Sequence, residues 1–292
     1  MKNNPQTILV TGANGQLGRE LQALAASYPA YEFLFVSKEE LSINDFNGVY
    51  RFLTNHHIDY CINCAAYTAV DKAETEKYKA FLINAEAAGN LARICKGYDT
   101  QLFHISTDYV FDGTGTQPYK EADATNPLGV YGSSKLKGEE LILHNDPSAI
   151  IIRTSWLYSS FGNNFVKTML RLMKERESIN VVNDQFGCPT YAADLATTIL
   201  KIISSGNKKP GIYHYANTGI TNWYEFAIAI KEMSKSKCTV NPIPTSQYPT
   251  PAKRPQYSVL DTTKIKETFS VLIPNWEDSL RQCLKLIKNN SL

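Results

Sequence analysis

The chain has 292 residues, 43% hydrophobic, 20% charged and 11% aromatic, enough apolar material for a full core and too much for a disordered chain. Lys and Arg number 30 against 28 Asp and Glu, a net charge of +2. That near-balance argues against nucleic acid as the main partner. No apolar run reaches the roughly 18 residues needed to span a bilayer, so no membrane partner is expected. Nor does the stretch 1–6 read as a signal peptide. Six cysteines, at 61, 64, 95, 188, 238 and 283, are too sparse for a disulfide scaffold. A soluble cytoplasmic protein with reduced thiols is the expectation.

In chain order, short β-branched runs at 7–10, 32–36, 60–64, 101–106 and 149–153 alternate with amphipathic stretches at 16–27, 45–56, 77–96 and 131–144. This alternation predicts five strands with helical crossovers, an α/β doubly wound parallel sheet of Rossmann type. Beyond residue 153 the rhythm changes. Helices are predicted at 165–175, 192–204 and 223–234, with proline-rich loop at 241–254. Residues 1–160, with 182–205 packed back on the sheet, are assigned to a dinucleotide-binding domain. Residues 161–181 and 206–292 form a smaller C-terminal one.

After the first strand comes Thr11-Gly12-Ala13-Asn14-Gly15-Gln16-Leu17-Gly18. The G-x-x-G-x-x-G spacing, between strand and helix, allows a tight turn, close approach to a pyrophosphate and free amides aimed at its phosphates. At the end of the second strand, where an acidic side chain would hold the ribose 2′-hydroxyl of NAD, stands Val36-Ser37-Lys38. Ser37 and Lys38 suit a 2′-phosphate, so NADPH is slightly favoured over NADH.

Tyr131 and Lys135 are spaced i, i+4, hence neighbours on one helical face. A phenol ionises near pH 10, and a cation beside it would stabilise the phenolate. Thr107, in Ser106-Thr107-Asp108-Tyr109 at the carboxyl end of the fourth strand, stands at the edge where such sheets bind ligands. Its hydroxyl could hold a substrate oxygen beside the Tyr131 phenol.

Together the glycine loop, the Ser-Thr-Asp-Tyr-Val-Phe strand end and Tyr131-Gly132-x-x-Lys135 resemble the extended short-chain dehydrogenase/reductases. The segments 63–74, 153–156, 162–165, 183–190 and 248–255 narrow the resemblance to the dTDP-4-dehydrorhamnose reductase family. That resemblance implies reduction of the C4 keto group of dTDP-4-dehydro-6-deoxy-L-mannose, with Tyr131, Lys135 and Thr107 as the catalytic set and Lys135 also lowering the Tyr131 pKa. It implies cofactor contacts from Gly12, Asn14, Gly15, Gln16, Leu17, Gly18, Ser37, Ser42, Ile43, Ala65, Ala66, Tyr67 and Thr68, besides Tyr131 and Lys135. On the substrate side it implies Thr107, Asp108, Trp156 and Asn164. Arg254 could clamp a pyrophosphate or be a surface arginine, and Trp156 could stack on the sugar or pack between domains.

Some relatives are magnesium-dependent, yet no carboxylate cluster with ligand geometry is visible, and no metal ligand is assigned. Cys61-x-x-Cys64 lies in an apolar strand and reads as core. His56-His57 reads as a helix C-terminal dipole partner, and Asn84 as a buttress of the site or a packing residue. Rival readings are an epimerase or a dehydratase on the same fold, or a non-catalytic regulatory subunit resembling that of methionine adenosyltransferase. A dehydratase would place Glu after Thr107-Asp108, where this chain has Tyr109. Oligomeric state stays open between monomer and homodimer.

Overall fold

A computed structural model describes residues 5–289. The strands are β1 (Gln6–Thr11), β2 (Tyr31–Val36), β3 (Tyr60–Asn63), β4 (Gln101–Thr107), β5 (Ile150–Thr154), β6 (Leu157–Tyr158), β7 (Ser178–Val182), β8 (Phe186–Gly187), β9 (Thr190–Tyr191), β10 (Gly211–Tyr215), β11 (Thr221–Asn222) and β12 (Thr239–Ile243). The helices are α1 (Gln16–Ala25), α2 (Phe46–Asn55), α3 (Val70–Ala73), α4 (Lys77–Phe81), α5 (Ala88–Gly97), α6 (Val130–Asn145), α7 (Phe165–Glu175), α8 (Ala192–Ser205), α9 (Trp223–Ser234), α10 (Thr263–Phe269) and α11 (Trp276–Asn289).

Six strands form the main sheet in the order β10-β5-β4-β3-β1-β2, every pair parallel. A parallel sheet covered on both faces needs apolar residues at successive positions, and alternation then sends neighbours to opposite cores. Ile8, Val10, Ile150 and Ile152 enter one core with Leu17 and Leu21 of α1 and Leu195 and Ile199 of α8. Leu9, Cys61 and Ile151 enter the other with Val49 of α2, Leu91 and Cys95 of α5 and Ile142 of α6. The chain runs from β1 to β2 on one side, then returns to β3 on the other. The crevice beyond the carboxyl ends of β1 and β3 is therefore the switch point where doubly wound sheets bind ligands.

Five strands were expected, and the sheet has a sixth. β10 lies beside β5 with Tyr213 opposite Ile152, and Ile265 and Phe269 of α10 pack in the same core as Tyr213. The break expected at residue 206 therefore falls inside the first unit's packing. Tyr213 and Tyr215 face one core while Ile212 faces the other, so β10 has the two-sided burial of its neighbours. The second unit has its own core, with Val166 and Met169 of α7, Ile179 of β7, Phe226 of α9, Val240 of β12 and Leu280 of α11. β7 and β12 pair in parallel, and Pro242 is tolerated in β12 because that two-strand ribbon is all edge.

The single helix expected over 77–96 is divided into α4, a π-helical stretch Leu82–Ala87 and α5. The widened turn presses the Asn84 carbonyl against α6, where a Cβ on Gly138 would stand 2.0 Å from it. Such stretches frequently mark functional sites, and this one delivers the Asn84 side chain to the crevice. His56 caps α2 through Nδ1 to the Phe52 carbonyl at 2.9 Å, and all six cysteines are free thiols with Cys61 in the core. Among the described residues no helix is long and apolar enough to cross a membrane.

Candidate active site

Two of the three loop glycines are required by their surroundings. Gly12 has φ +65°, and a Cβ there would stand 2.7 Å from the Ala65 backbone nitrogen; one on Gly18 would stand 2.6 Å from the Gly12 oxygen. The Gly15 N–H donates to the Gly12 carbonyl at 2.9 Å, closing the turn. Gly15 is also the N-cap of α1 and makes no side-chain cap bond, so the first amides of α1 remain free for an anion. Asn14 is exposed and Leu17 is buried in the core, so Leu17 can offer a phosphate only its backbone. Gln16 accepts from Asn164 Nδ2 at 2.9 Å. Gly12→Ala is expected to weaken NADPH binding by about tenfold or more, read by fluorescence titration, because the clash is with backbone that cannot swing away.

At the end of β2, where Val36-Ser37-Lys38 offers no carboxylate of its own, the fold brings one in from further along the chain. Glu40, three residues on, turns back so that Oε2 accepts the Ser37 N–H at 2.8 Å. Hydrogen bonds from the Ser37 backbone and hydroxyl hold its carboxyl below the usual range. An exposed cation, Lys38, and an exposed carboxylate thus flank buried Ser37. The turn behind them places Ser42 half-buried, its hydroxyl bonded to Asn44, and buries Ile43.

Beyond β3, Ala65 and Ala66 are half-buried, Tyr67 is buried and Thr68 exposed. Asn84 fixes this loop: Oδ1 accepts the Tyr67 N–H at 2.8 Å, while Nδ2 donates to the Tyr67 carbonyl and to Ser134 Oγ, each at 3.0 Å. Of its two expected roles, the structure gives Asn84 the buttress. It joins the loop facing the glycine turn to the helix carrying Tyr131 and Lys135.

Thr107 lies near enough to Tyr131 for its hydroxyl to favour the phenolate. Thr107 also donates to Asp108 Oδ1 at 3.1 Å. Burial pushes the Tyr131 phenol up to about 12, with Thr107 opposing and the Asp108 charge reinforcing. The influences on the phenol here are burial, Thr107 and Asp108. Lys135, 2% exposed as a residue, turns its Nζ to the Ile105 carbonyl at 2.6 Å and to His104 Nε2 at 3.1 Å. Burial lowers the Lys135 ammonium to about 8, against the Glu139 charge that raises it.

Asp108 is 1% exposed and its Oδ2 has no hydrogen-bond partner. Burial raises its carboxyl to about 6, opposed by the neighbouring Ser258 and Thr107 hydroxyls. A folded-state pKa above the unfolded value of about 3.9 contributes stability below pH 4 that is lost as pH rises through about 6. Asp108→Asn should therefore be more stable than the parent at pH 7, by up to about 3 kcal/mol, and about equal to it at pH 4. Urea unfolding at the two pH values checks this.

The other residues expected on the substrate side are held by protein contacts. Trp156 has φ +48°, strained for a tryptophan, and its ring stacks on Trp223 at 3.6 Å and 12°. A Cβ on Gly187 would stand 2.7 Å from the same ring. Packing in the second core is thus the role visible for Trp156. Asn164 caps α7, with Oδ1 accepting the Lys167 N–H, and Nδ2 donates to Gln16 and the Ser159 carbonyl. Arg254 pairs bidentately with Asp71 of α3 at 2.7 and 2.8 Å, tying the loop before β-bridge residue Tyr257 to the first unit. Asp71, Asn63, His104 and Glu40 escaped sequence reasoning. For Asn63 and His104 the available signal was a polar residue inside an otherwise apolar strand. No group of three or more His, Cys, Asp or Glu able to hold a metal occurs among the described residues.

The parallel sheet and its glycine turn define a dinucleotide-binding α/β protein of Rossmann type. A dTDP-4-dehydrorhamnose reductase of Aggregatibacter actinomycetemcomitans is 43% identical over 284 residues, 94% of this chain and 97% of that protein. The crystal structure of a dTDP-4-dehydrorhamnose reductase from Clostridium acetobutylicum ATCC 824 matches with a TM-score of 0.93 at 40% identity, covering 97% of this chain and all of that one. Another, from Bacillus anthracis in complex with NADP, has a TM-score of 0.92 at 40% identity, covering 96% and 99%. The family model described as RmlD substrate binding domain matches residues 6–289, and the chain belongs to that family.

Proposed function

We infer that the protein reduces the C4 keto group of dTDP-4-dehydro-6-deoxy-L-mannose to give dTDP-L-rhamnose, with NADPH or NADH as reductant. The observation that carries the reading is the meeting of Thr107, Asp108 and Tyr131 at the sheet edge, beside a glycine turn that has no room for side chains at 12 and 18. The free amides of α1, the loop 65–68 and the Ser37 end of β2 suit a dinucleotide's phosphates and riboses. When bound, the reduced nicotinamide supplies a hydride.

The chain's own residues do the rest. Thr107 orients the C4 carbonyl by hydrogen bond, and Tyr131 donates its proton to the alkoxide that forms there. A phenol held near 12 enters the reaction still carrying its proton at neutral pH, which is the form a reduction needs. Lys135 belongs to the same set through its place one helical turn beyond Tyr131. Arg254 and Asp71 support the substrate side by closing the 248–256 loop over α3. Six free thiols suit a cytoplasmic enzyme.

The test is incubation with NADPH, then NADH, and dTDP-4-dehydrorhamnose made in place by the preceding enzymes, with products separated by chromatography. Cofactor oxidation with formation of dTDP-rhamnose is the expected outcome. Demonstrable NADPH binding with no oxidation would overturn the substrate assignment.

A further inference from the structure

Between the glycine turn and Lys135 runs a buried line of side chains to which the reduction assigns no part. Asn63 ends β3 and lies opposite His104 on β4; each is 1% exposed. Asn63 Oδ1 accepts from Thr11 Oγ1 at 2.7 Å and from the Ala65 N–H at 3.2 Å. A backbone N–H only donates, so this contact fixes which way round the amide sits. The other end, Nδ2, is then a donor, and it lies 3.0 Å from His104 Nδ1. That ring nitrogen must accept, which leaves the imidazole's single proton on Nε2.

Nε2 faces Lys135 Nζ at 3.1 Å. An ammonium has three donors and no lone pair, so it would oppose the Nε2–H with another N–H. A neutral amine accepts from Nε2–H and still donates to the Ile105 carbonyl, 2.6 Å away. We propose that His104, locked as its Nε2–H tautomer by Asn63, is a positioning residue that points this N–H at Lys135 Nζ and so favours the neutral form of the lysine.

The charges around the pair agree with this polarity. From α6 itself, Glu139 favours the ammonium, but its carboxylate is already engaged by Arg153 of β5 at 2.7 Å. From β4, burial holds His104 well below the usual histidine range, and Lys135 in its charged form pushes the same way, so the ring is neutral. Neighbouring Tyr131 keeps its proton. The inference rests on Lys135 belonging to the reacting set, as proposed above, but its test requires no turnover.

Two NMR measurements on the full chain decide it. In protein labelled with 15N-histidine, the His104 ring, identified by its loss in His104→Asn, should show a protonated Nε2 and bare Nδ1 from about pH 5 to about pH 9. An Nδ1–H tautomer, or protonation of this ring within that range, would overturn the proposal; this measurement uses the parent protein and survives any failure of a variant to fold. In protein labelled with 13C-lysine, Lys135, identified through Lys135→Arg, should titrate below the ordinary lysine range. Asn63→Asp replaces a donor by an acceptor, turns the ring to its Nδ1–H form, and should move that titration up by about one pH unit or more. Combining it with His104→Asn should remove most of the rise. A rise of the same size without the imidazole would reduce the effect to added charge and contradict the tautomer lock. Failure of the sugar reduction with these spectra as expected would overturn the substrate assignment alone.

Discussion

Tyr131→Phe is expected to lower kcat by about 10²–10⁴-fold, the usual contribution of a positioned general acid, while leaving NADPH binding near the parental value. The change removes one oxygen and little packing, since the ring keeps its edge-on contact with Tyr109 at 5.5 Å between centroids. Steady-state kinetics and a cofactor titration on one preparation separate the two effects. Loss of binding together with turnover would make Tyr131 a cofactor-holding residue, and retention of most of the rate would remove it from the chemistry. The pH dependence has a definite sign. With the phenol near 12, its loss of protonation cannot produce a fall in rate at moderately alkaline pH, so a fall there belongs to another group, and Lys135 at about 8 is the one in place.

The second large effect concerns stability. Glu139 is 2% exposed and holds Arg153, itself 2% exposed, through Nε at 3.0 Å and Nη2 at 2.7 Å; it also accepts from Ser106, next to Thr107. Glu139→Leu strands a buried guanidinium and should lower unfolding free energy by about 3–5 kcal/mol. Adding Arg153→Met should restore most of it, because an apolar pair of similar volume leaves no orphaned charge. Urea midpoints of the parent, both single variants and the double variant measure the coupling. A double variant no better than Glu139→Leu would show that the pair is needed for more than mutual charge compensation.

Where structure is set by neighbours in sequence, the sequence was readable. The apolar runs of β1 to β5, the strand-turn-helix around Gly12 and the i, i+4 spacing of Tyr131 and Lys135 are local patterns, and each is found where its pattern puts it. Strand β10 was missed because it follows a helix and a Lys-Lys-Pro loop in a stretch whose rhythm had already changed. The break between α4 and α5 was missed because a π-turn leaves the apolar spacing almost intact; its cause is the close approach of α6 at Gly138.

In the site, the residues that act by type were legible, and those that act through a distant partner were not. Arg254 stood out as an anion binder, but Asp71 lies 183 residues away in sequence, and only the folded chain pairs them. Trp156 stood out as an aromatic near a sugar, while its stacking partner Trp223 belongs to the other unit. The carboxylate at the end of β2 was sought at the strand terminus; Glu40 reaches it by turning back through three residues. His104 looked like one more inward residue of β4, and its meaning depends on which atom of Asn63 faces it.

The most direct test of the central claim is to follow the hydride. With NADPH carrying deuterium on the transferred face of the nicotinamide C4, incubated with dTDP-4-dehydrorhamnose, the account predicts dTDP-rhamnose one mass unit heavier, with the deuterium at C4 of the sugar by NMR. Unlabelled product, or deuterium at any other carbon, would contradict direct reduction of the C4 ketone at this site.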